Sequence, residues 1–262
     1  MPDSLIKSEI KEKICVLSLN NPEKRNVLTV DMLNEITYHL DSLAAEDKVR
    51  CVVIRGEGGK AFSSGYDISA IKNDDMIREF GTGHPLEDCL KSIENFPYPV
   101  IAMINGHVFG AGLELAVTCD MRICADFIRI GMPPAKLGVV YSYSGTKKFL
   151  NLIGSANTRE LFFIGNPISA ERAEKIGLVN HCVDSLKLYH FTMEIAEEIS
   201  NNAPLSLKTM KKLFNIWHQN QPICEEDEQL IKQLFTEVQD SEDYLEGQRA
   251  FNEKRKPVFK GK

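Results

Sequence analysis

Apolar positions along the first half of the chain alternate between two patterns. ICVLSLN (14–20), VRCVVIRG (49–56), YPVIAMING (98–106) and MRICAD (121–126) are near-continuous apolar runs. They predict strands buried on both faces. Between them, TVDMLNEITYHLDSLAAE (29–46) spaces its apolar residues as a helix does, with Thr29 as N-cap before an acidic first turn. A second helix is expected from about Pro85, and GLELAVTCD (112–120) reads as a third. Strand-helix-strand order of this kind implies parallel pairing through right-handed crossovers.

The second half reads as helical. SYSGTKKFLNLIG (142–154), ANTRELFFIG (156–165) and SAERAEKIG (169–177) each end in Gly, as helix C-caps do. The stretches 186–204 and 203–220 are amphipathic, and two more helices are expected after 224. No internal repeat or low-complexity linker is visible. The charged, Gly-bearing stretch KNDDMIREFGTGHP (72–85) is expected to be a mobile loop.

Composition narrows the function classes. A chain of 262 residues suits one large domain or a domain with a small appendage. Its net charge of −6 and scattered basic residues argue against a nucleic-acid footprint. No apolar run approaches the ~20 residues of a membrane span, and the N-terminal stretch lacks the pattern of a signal peptide. Seven irregularly spaced cysteines without a CxxC pair suggest reduced thiols in a cytoplasmic protein. The histidines show no metal-ligand spacing, so no metal is expected.

Two Gly-bearing stretches follow successive strands: GKAFSSGYDISAI (59–71) and NGHVFGAGLEL (105–115). Both lie where ligands bind in α/β sheets, beyond the C-terminal ends of strands. Small residues there let backbone amides approach a ligand, and two converging amides can hold an oxyanion. Spacing alone favours the plainer reading of two tight turns. Within the second stretch Glu114 is a lone carboxylate in an apolar run. It is either a first-turn acid favoured by the helix dipole or a functional acid with raised proton affinity.

Together AFSSGYDISAI, PVIAMINGHVFGAGLELAVTCDMRICAD, LGVVYSYSGTKKFLNLIG, ISAERAEKIGLVNHCV and DSEDYLEGQRAFNEKRKPVF resemble the crotonase (enoyl-CoA hydratase/isomerase) superfamily, in order and over essentially the whole chain. The resemblance implies an α/β fold: a crotonase-type spiral of ββα repeats (1–200) with a helical C-terminal trimerisation region (201–262). It implies a homotrimer or dimer of trimers and an acyl-CoA substrate, with no separate cofactor. The thioester oxygen would be held by the N–H groups of Tyr66 and Ala111. CoA would be bound by Lys24, Arg25, Ser64, Asp67, Ile68 and Gly110, with Lys254, Lys256 and Phe259 as further contacts from the tail. The plain alternative for each lysine is a solvated charge.

The sequence departs from the hydratase pattern at one place. Hydratases of this superfamily pair two glutamates, the second in a Gly-x-Pro-Glu motif. Here GMPPAKLG (131–138) puts Pro134 at that position, and Lys136 is off it. Proline transfers no proton. The nearest subfamily resemblance is to methylmalonyl-CoA decarboxylases, with a similar LGV-x-Y stretch and ending, although Tyr66 stands where that subfamily has His. The expected reaction is therefore decarboxylation of methylmalonyl-CoA or a similar alkylmalonyl-CoA, using Glu114, Tyr141 and Tyr66. The alternatives are a hydratase/isomerase using Glu114 alone, an acyl-CoA hydrolase or ring-cleaving relative, and a non-catalytic binder. Tyr143 and His107 are expected in packing or supporting roles.

Overall fold

The structure is a computed structural model that describes residues 4–67, 84–219, 229, 232, 233 and 236–260. Of the loop expected at 72–85, residues 72–83 lie outside the described residues, as does the expected CoA contact Ile68, while His84 and Pro85 open a helix.

The apolar runs form the large sheet. Its strands are β1 (Ile6–Lys11), β2 (Ile14–Leu19), β3 (Cys51–Gly56), β5 (Val100–Ile104), β7 (Met121–Ala125) and β10 (His181–Val183), in the order β1-β2-β3-β5-β7-β10. The β1–β2 hairpin is antiparallel and every other pairing is parallel. A small second sheet contains β4 (Ala61–Ser63), β6 (His107–Phe109), β8 (Arg129–Gly131) and β9 (Ile168–Ser169) in that order. Here β4, β6 and β8 are parallel and β9 is antiparallel.

The two sheets fill together. Chain segments β3–β4, β5–β6 and β7–β8 each add one strand to the large sheet and one to the small, then run on to helices. This is the ββα winding expected from the resemblance. The helices are α1 (Val30–Glu46), α2 (Pro85–Asn95), α3 (Ala111–Thr118), the short α4 (Pro134–Leu137) and α5 (Tyr143–Ile164). They are followed by α6 (Ala170–Lys175), α7 (Leu188–Asn201), α8 (Pro204–Gln219) and α9 (Glu242–Asn252).

Local chemistry sets these helix boundaries. Thr29 Oγ1 accepts from Met32 N at 3.2 Å, which satisfies one of the first-turn amides of α1. Ser169 Oγ does the same for Arg172 N in α6 at 3.2 Å. The two helices expected at 142–154 and 156–165 meet within α5 at Gly154, whose φ 72° and ψ 168° break the helix between them. Five of the six described cysteines are buried, and all six are free thiols.

The core lies between the large sheet and its helices. Val52, Val53, Ile54, Ile101, Ala102 and Ile104 are fully enclosed. This rigid body fixes the ends of β4 and β6, from which the site is built. Among the described residues no helix is long and apolar enough to cross a membrane.

Candidate active site

Two backbone turns are brought against each other by glycine. Gly65 follows β4 with φ +102°, a conformation that side chains disfavour. A β-carbon there would lie 3.5 Å from Ala111 N and 3.1 Å from Phe109 O. Ser63, fully buried, accepts from Gly65 N at 3.2 Å and fixes this turn. Gly112 completes the approach: a β-carbon on it would lie 2.7 Å from Ser63 Oγ.

Gly110 caps α3 with φ +55° and ψ −128°. Its carbonyl accepts from Leu113 N and Glu114 N, at 2.9 and 3.0 Å. The Ala111 amide, in the first turn of α3, has no carbonyl four residues back. Among the described residues neither Ala111 N nor Tyr66 N donates to a protein acceptor. Two amides from adjoining turns, one at a helix N-terminus, are suited to hold a single developing oxyanion.

Glu114 lies one turn into α3 and is 2 % exposed. Its carboxyl packs against Gly145 at the start of α5, where a β-carbon would lie 3.0 Å from Glu114 Cδ. Burial pushes its pKa up to about 7. Lys148 opposes this rise, and Glu87 and Glu94 add to it. An acid so placed holds a proton near neutral pH and can give it to a carbon base.

Tyr141 stands on the same side. Its hydroxyl lies 3.1 Å from the position a β-carbon would take on Gly110. Its ring meets Phe162 edge-on, with centroids 5.8 Å apart. Burial and the Glu114 charge hold the phenol well above its ordinary pKa, so it is a hydrogen-bond donor at neutral pH. Tyr66 contributes a buried hydroxyl that has no hydrogen-bond partner among the described residues. Its ring lies 5.7 Å from that of His84. The structure therefore gathers Tyr66, Gly110, Ala111, Glu114 and Tyr141 at one place.

The expected CoA-binding residues Lys24, Arg25, Ser64 and Asp67 flank that place. Lys24 and Arg25 are exposed at the end of the 3₁₀ turn Pro22–Lys24. Arg25 O accepts from Ser64 N at 3.0 Å, Leu28 N donates to Gly65 O at 2.8 Å, and Asp67 N donates to Leu28 O at 3.1 Å. The two loops thus run side by side as a short ladder. Asn26, fully buried, clamps them by donating to Ala61 O at 2.8 Å and Glu57 O at 3.0 Å.

Residues expected outside the site chemistry are placed accordingly. Tyr143 is exposed. Lys136 donates to Asn166 Oδ1 at 2.5 Å. His107 Nδ1 accepts from Arg129 N at 3.0 Å, a supporting role. In the tail, Arg255 pairs with Glu246, and Lys260 N donates to Asp243 Oδ1 at 2.6 Å, so this segment folds back on α9.

Sequence reasoning missed Ser63, Asn26 and His84. His84 is the N-cap of α2, its Nδ1 accepting from Leu86 N at 3.2 Å, while burial lowers its pKa. A histidine directly before a proline at a helix start was the available signal. Among the described residues no group of three His, Cys, Asp or Glu side chains could hold a metal ion.

The Enoyl-CoA hydratase/isomerase family profile matches residues 9–262. The chain belongs to this family. Its relatives within the family carry different reactions at similar identity. Methylmalonyl-CoA decarboxylase of Escherichia coli (strain K12) is 32% identical over 250 residues, covering 95% of each chain. Short-chain-enoyl-CoA hydratase of Clostridium acetobutylicum is 35% identical over 253 residues, covering 95% of this chain and 94% of the relative. Among solved structures, a methylmalonyl-CoA decarboxylase in complex with 2-nitronate-propionyl-CoA superposes with a TM-score of 0.94 at 31% identity, covering 98% of this chain and 99% of the other. The chain is thus a crotonase-family enzyme, with the family's α/β architecture.

Proposed function

We propose that this enzyme is an acyl-CoA lyase that decarboxylates methylmalonyl-CoA or a similar alkylmalonyl-CoA. The observation that carries the reading is that, among the described residues, Glu114 is the one buried acid and lies beside two unengaged amides, with Pro134 where a hydratase has its second glutamate. Loss of CO2 needs no base to remove an α-proton. The C–C bond to the carboxylate breaks, and its electron pair moves onto the thioester as an enolate. The Tyr66 and Ala111 amides hold the enolate oxygen. Glu114 then gives its proton to the α-carbon and recovers one from solvent. Charge balances at each step.

Protonated Glu114 suits this chemistry because an ionised one would repel the substrate carboxylate. The Tyr141 and Tyr66 hydroxyls orient the carboxylate by donating to it. Lys24 and Arg25 offer positive charge to CoA phosphates at the rim. CoA is part of the substrate, and no separate cofactor enters the reaction. Residues 1–200 form the acyl-CoA-binding core and 201–262 the trimerisation region. Exposed Leu205, Leu213, Phe214 and Trp217 on α8 support burial of that helix between copies.

Product analysis tests the reading. Methylmalonyl-CoA is expected to give CO2 and propionyl-CoA at a rate that collapses in Glu114→Gln. Full activity in that variant would overturn the assignment. The 35% identity to a hydratase favours a second reading, hydration by Glu114 alone. Crotonyl-CoA turnover at ordinary hydratase rates would establish it in place of the first.

A further inference from the structure

Behind Glu114, three helices meet at one ammonium group. Lys148 on α5 lies 2.8 Å from Glu94 Oε1 on α2. It also donates to Thr118 Oγ1 on α3 at 2.9 Å. Thr118 Oγ1 in turn donates to the Glu114 carbonyl at 2.8 Å. The spacing is in register on both helices. Glu114 and Thr118 are one turn apart on α3, and Gly145 and Lys148 are one turn apart on α5. Gly145 receives the Glu114 carboxyl, and Lys148 receives the turn beyond it.

We propose that Lys148 is a positioning residue for Glu114: it locks the corner of α2, α3 and α5 that holds the carboxyl, and it places a positive charge behind that carboxyl which sets the pH range where the acid is used. This rests on the reading of Glu114 as the proton donor.

Among the described residues the charged surroundings of Glu114 are few. From α2 come Glu87, which accepts from Ser144 Oγ at 3.1 Å, and Glu94. From the α5 side come Lys148 and the neutral phenol of Tyr141. The strands β4 and β6 present Ser63 and His107, the latter turned to Arg129. Past the far end of α3, Asp120 pairs with Lys211, and Arg122 donates to Cys119 O at 2.7 Å. Lys148 thus opposes two carboxylates on α2. Lys148 and Glu94 are partly buried, with side chains 20% and 33% exposed, and directly paired, so salt screens them less than a fully exposed pair.

The signs follow from Coulomb's law. Removing Lys148 favours the neutral acid, so Glu114 keeps its proton to higher pH. Removing the Glu94 charge leaves Lys148 opposed on α2 by Glu87 alone, so Glu114 loses its proton at lower pH. A role confined to packing would lower activity in both variants without moving the profile in opposite directions.

The test is the pH profile of kcat/KM for methylmalonyl-CoA in wild type, Lys148→Met, Lys148→Arg and Glu94→Gln. The alkaline limb is expected to move up by ~0.5 pH unit or more in Lys148→Met. It is expected to move down in Glu94→Gln and to stay within ~0.2 unit of wild type in Lys148→Arg, which keeps the charge. Limbs that coincide in all four proteins, or that move the same way in Lys148→Met and Glu94→Gln, overturn the proposal. Should Lys148→Met fail to fold, Glu94→Gln alone decides by the direction of its limb. A wild type inactive on this substrate, or an active Glu114→Gln, would instead overturn the underlying reading of Glu114.

Discussion

The Tyr141 hydroxyl stands over Gly110, 3.1 Å from where a β-carbon on that residue would lie. Gly110 is the turn that frees the Ala111 amide, so the phenol and the amide address the same small space. Only glycine leaves that space open while adopting φ +55° with ψ −128°. One residue's missing side chain thus makes room for another's donor.

Tyr141→Phe tests what that donor contributes. Phenylalanine keeps the edge-on contact with Phe162 and removes only the hydroxyl. Among the described residues the hydroxyl has no protein partner, so stability should change by less than about 1 kcal/mol. The rate should fall by ~10²–10³, as when one preorganised donor to a developing charge is lost. Steady-state kinetics beside urea unfolding would separate the two effects. A wild-type rate would remove Tyr141 from the site chemistry.

Glu114 imposes a cost on folding whose sign is fixed. Its pKa is raised from 4.5 to about 7 by burial. Between those values the folded protein binds more protons than the unfolded chain, so stability falls as pH rises through this window. Below about pH 4.5 both states are neutral, and above about pH 7 both are ionised. The accumulated loss is roughly 3 kcal/mol. Glu114→Gln removes the slope. Urea unfolding at pH 5 and pH 8 should show the variant gaining on wild type by that order, even as it loses activity. Equal pH dependence in both proteins would mean that Glu114 titrates normally.

Lys211 docks α8 on the body of the fold. Its buried ammonium donates to Asp120 Oδ2 at 2.7 Å, Tyr98 O at 3.0 Å and Ile93 O at 3.2 Å. Asp120 also receives Val100 N at 2.7 Å, so one ion pair joins α8, the end of α2 and the start of β5. Lys211→Met should cost roughly 3 kcal/mol, because the two carbonyls and the carboxylate lose their donor together. Thermal or urea unfolding measures this. A loss under about 1 kcal/mol would show that water replaces the ammonium at little cost.

Legibility in the sequence followed the length and periodicity of each signal. The buried strands β2, β3, β5 and β7 were visible because each is a long apolar run. The strand β1 was missed because five of its six residues are exposed, and it forms only by pairing with β2. The strands β4, β6 and β8 have three residues each, too short for any period to register. Glu114 stood out as an acid among apolar residues. Lys148 and Lys211 did not, because amphipathic helices carry lysines on solvated faces. What distinguishes these two is a partner far away in sequence: Glu94 for one, Asp120 for the other. No local pattern reports that.

Pro134 offers a test in the constructive direction. It occupies the first position of α4, where proline's missing N–H costs nothing, and its carbonyl accepts from Val139 N at 3.1 Å. Glutamate at a first helical position is favoured by the helix dipole, so Pro134→Glu should keep the backbone turn. The side chain at this position is buried. In the proposed reading a carboxyl placed there faces Glu114 across the substrate, and the two would not both ionise readily. One acid and one base around a water is what hydration requires. Pro134→Glu is therefore expected to hydrate crotonyl-CoA at least ~10-fold faster than wild type, read as loss of the enoyl absorbance. Decarboxylation should fall at the same time, because a new anion beside the substrate carboxylate repels it. A variant that gains no hydration while keeping full decarboxylation would show that Pro134 does not face Glu114 across the substrate.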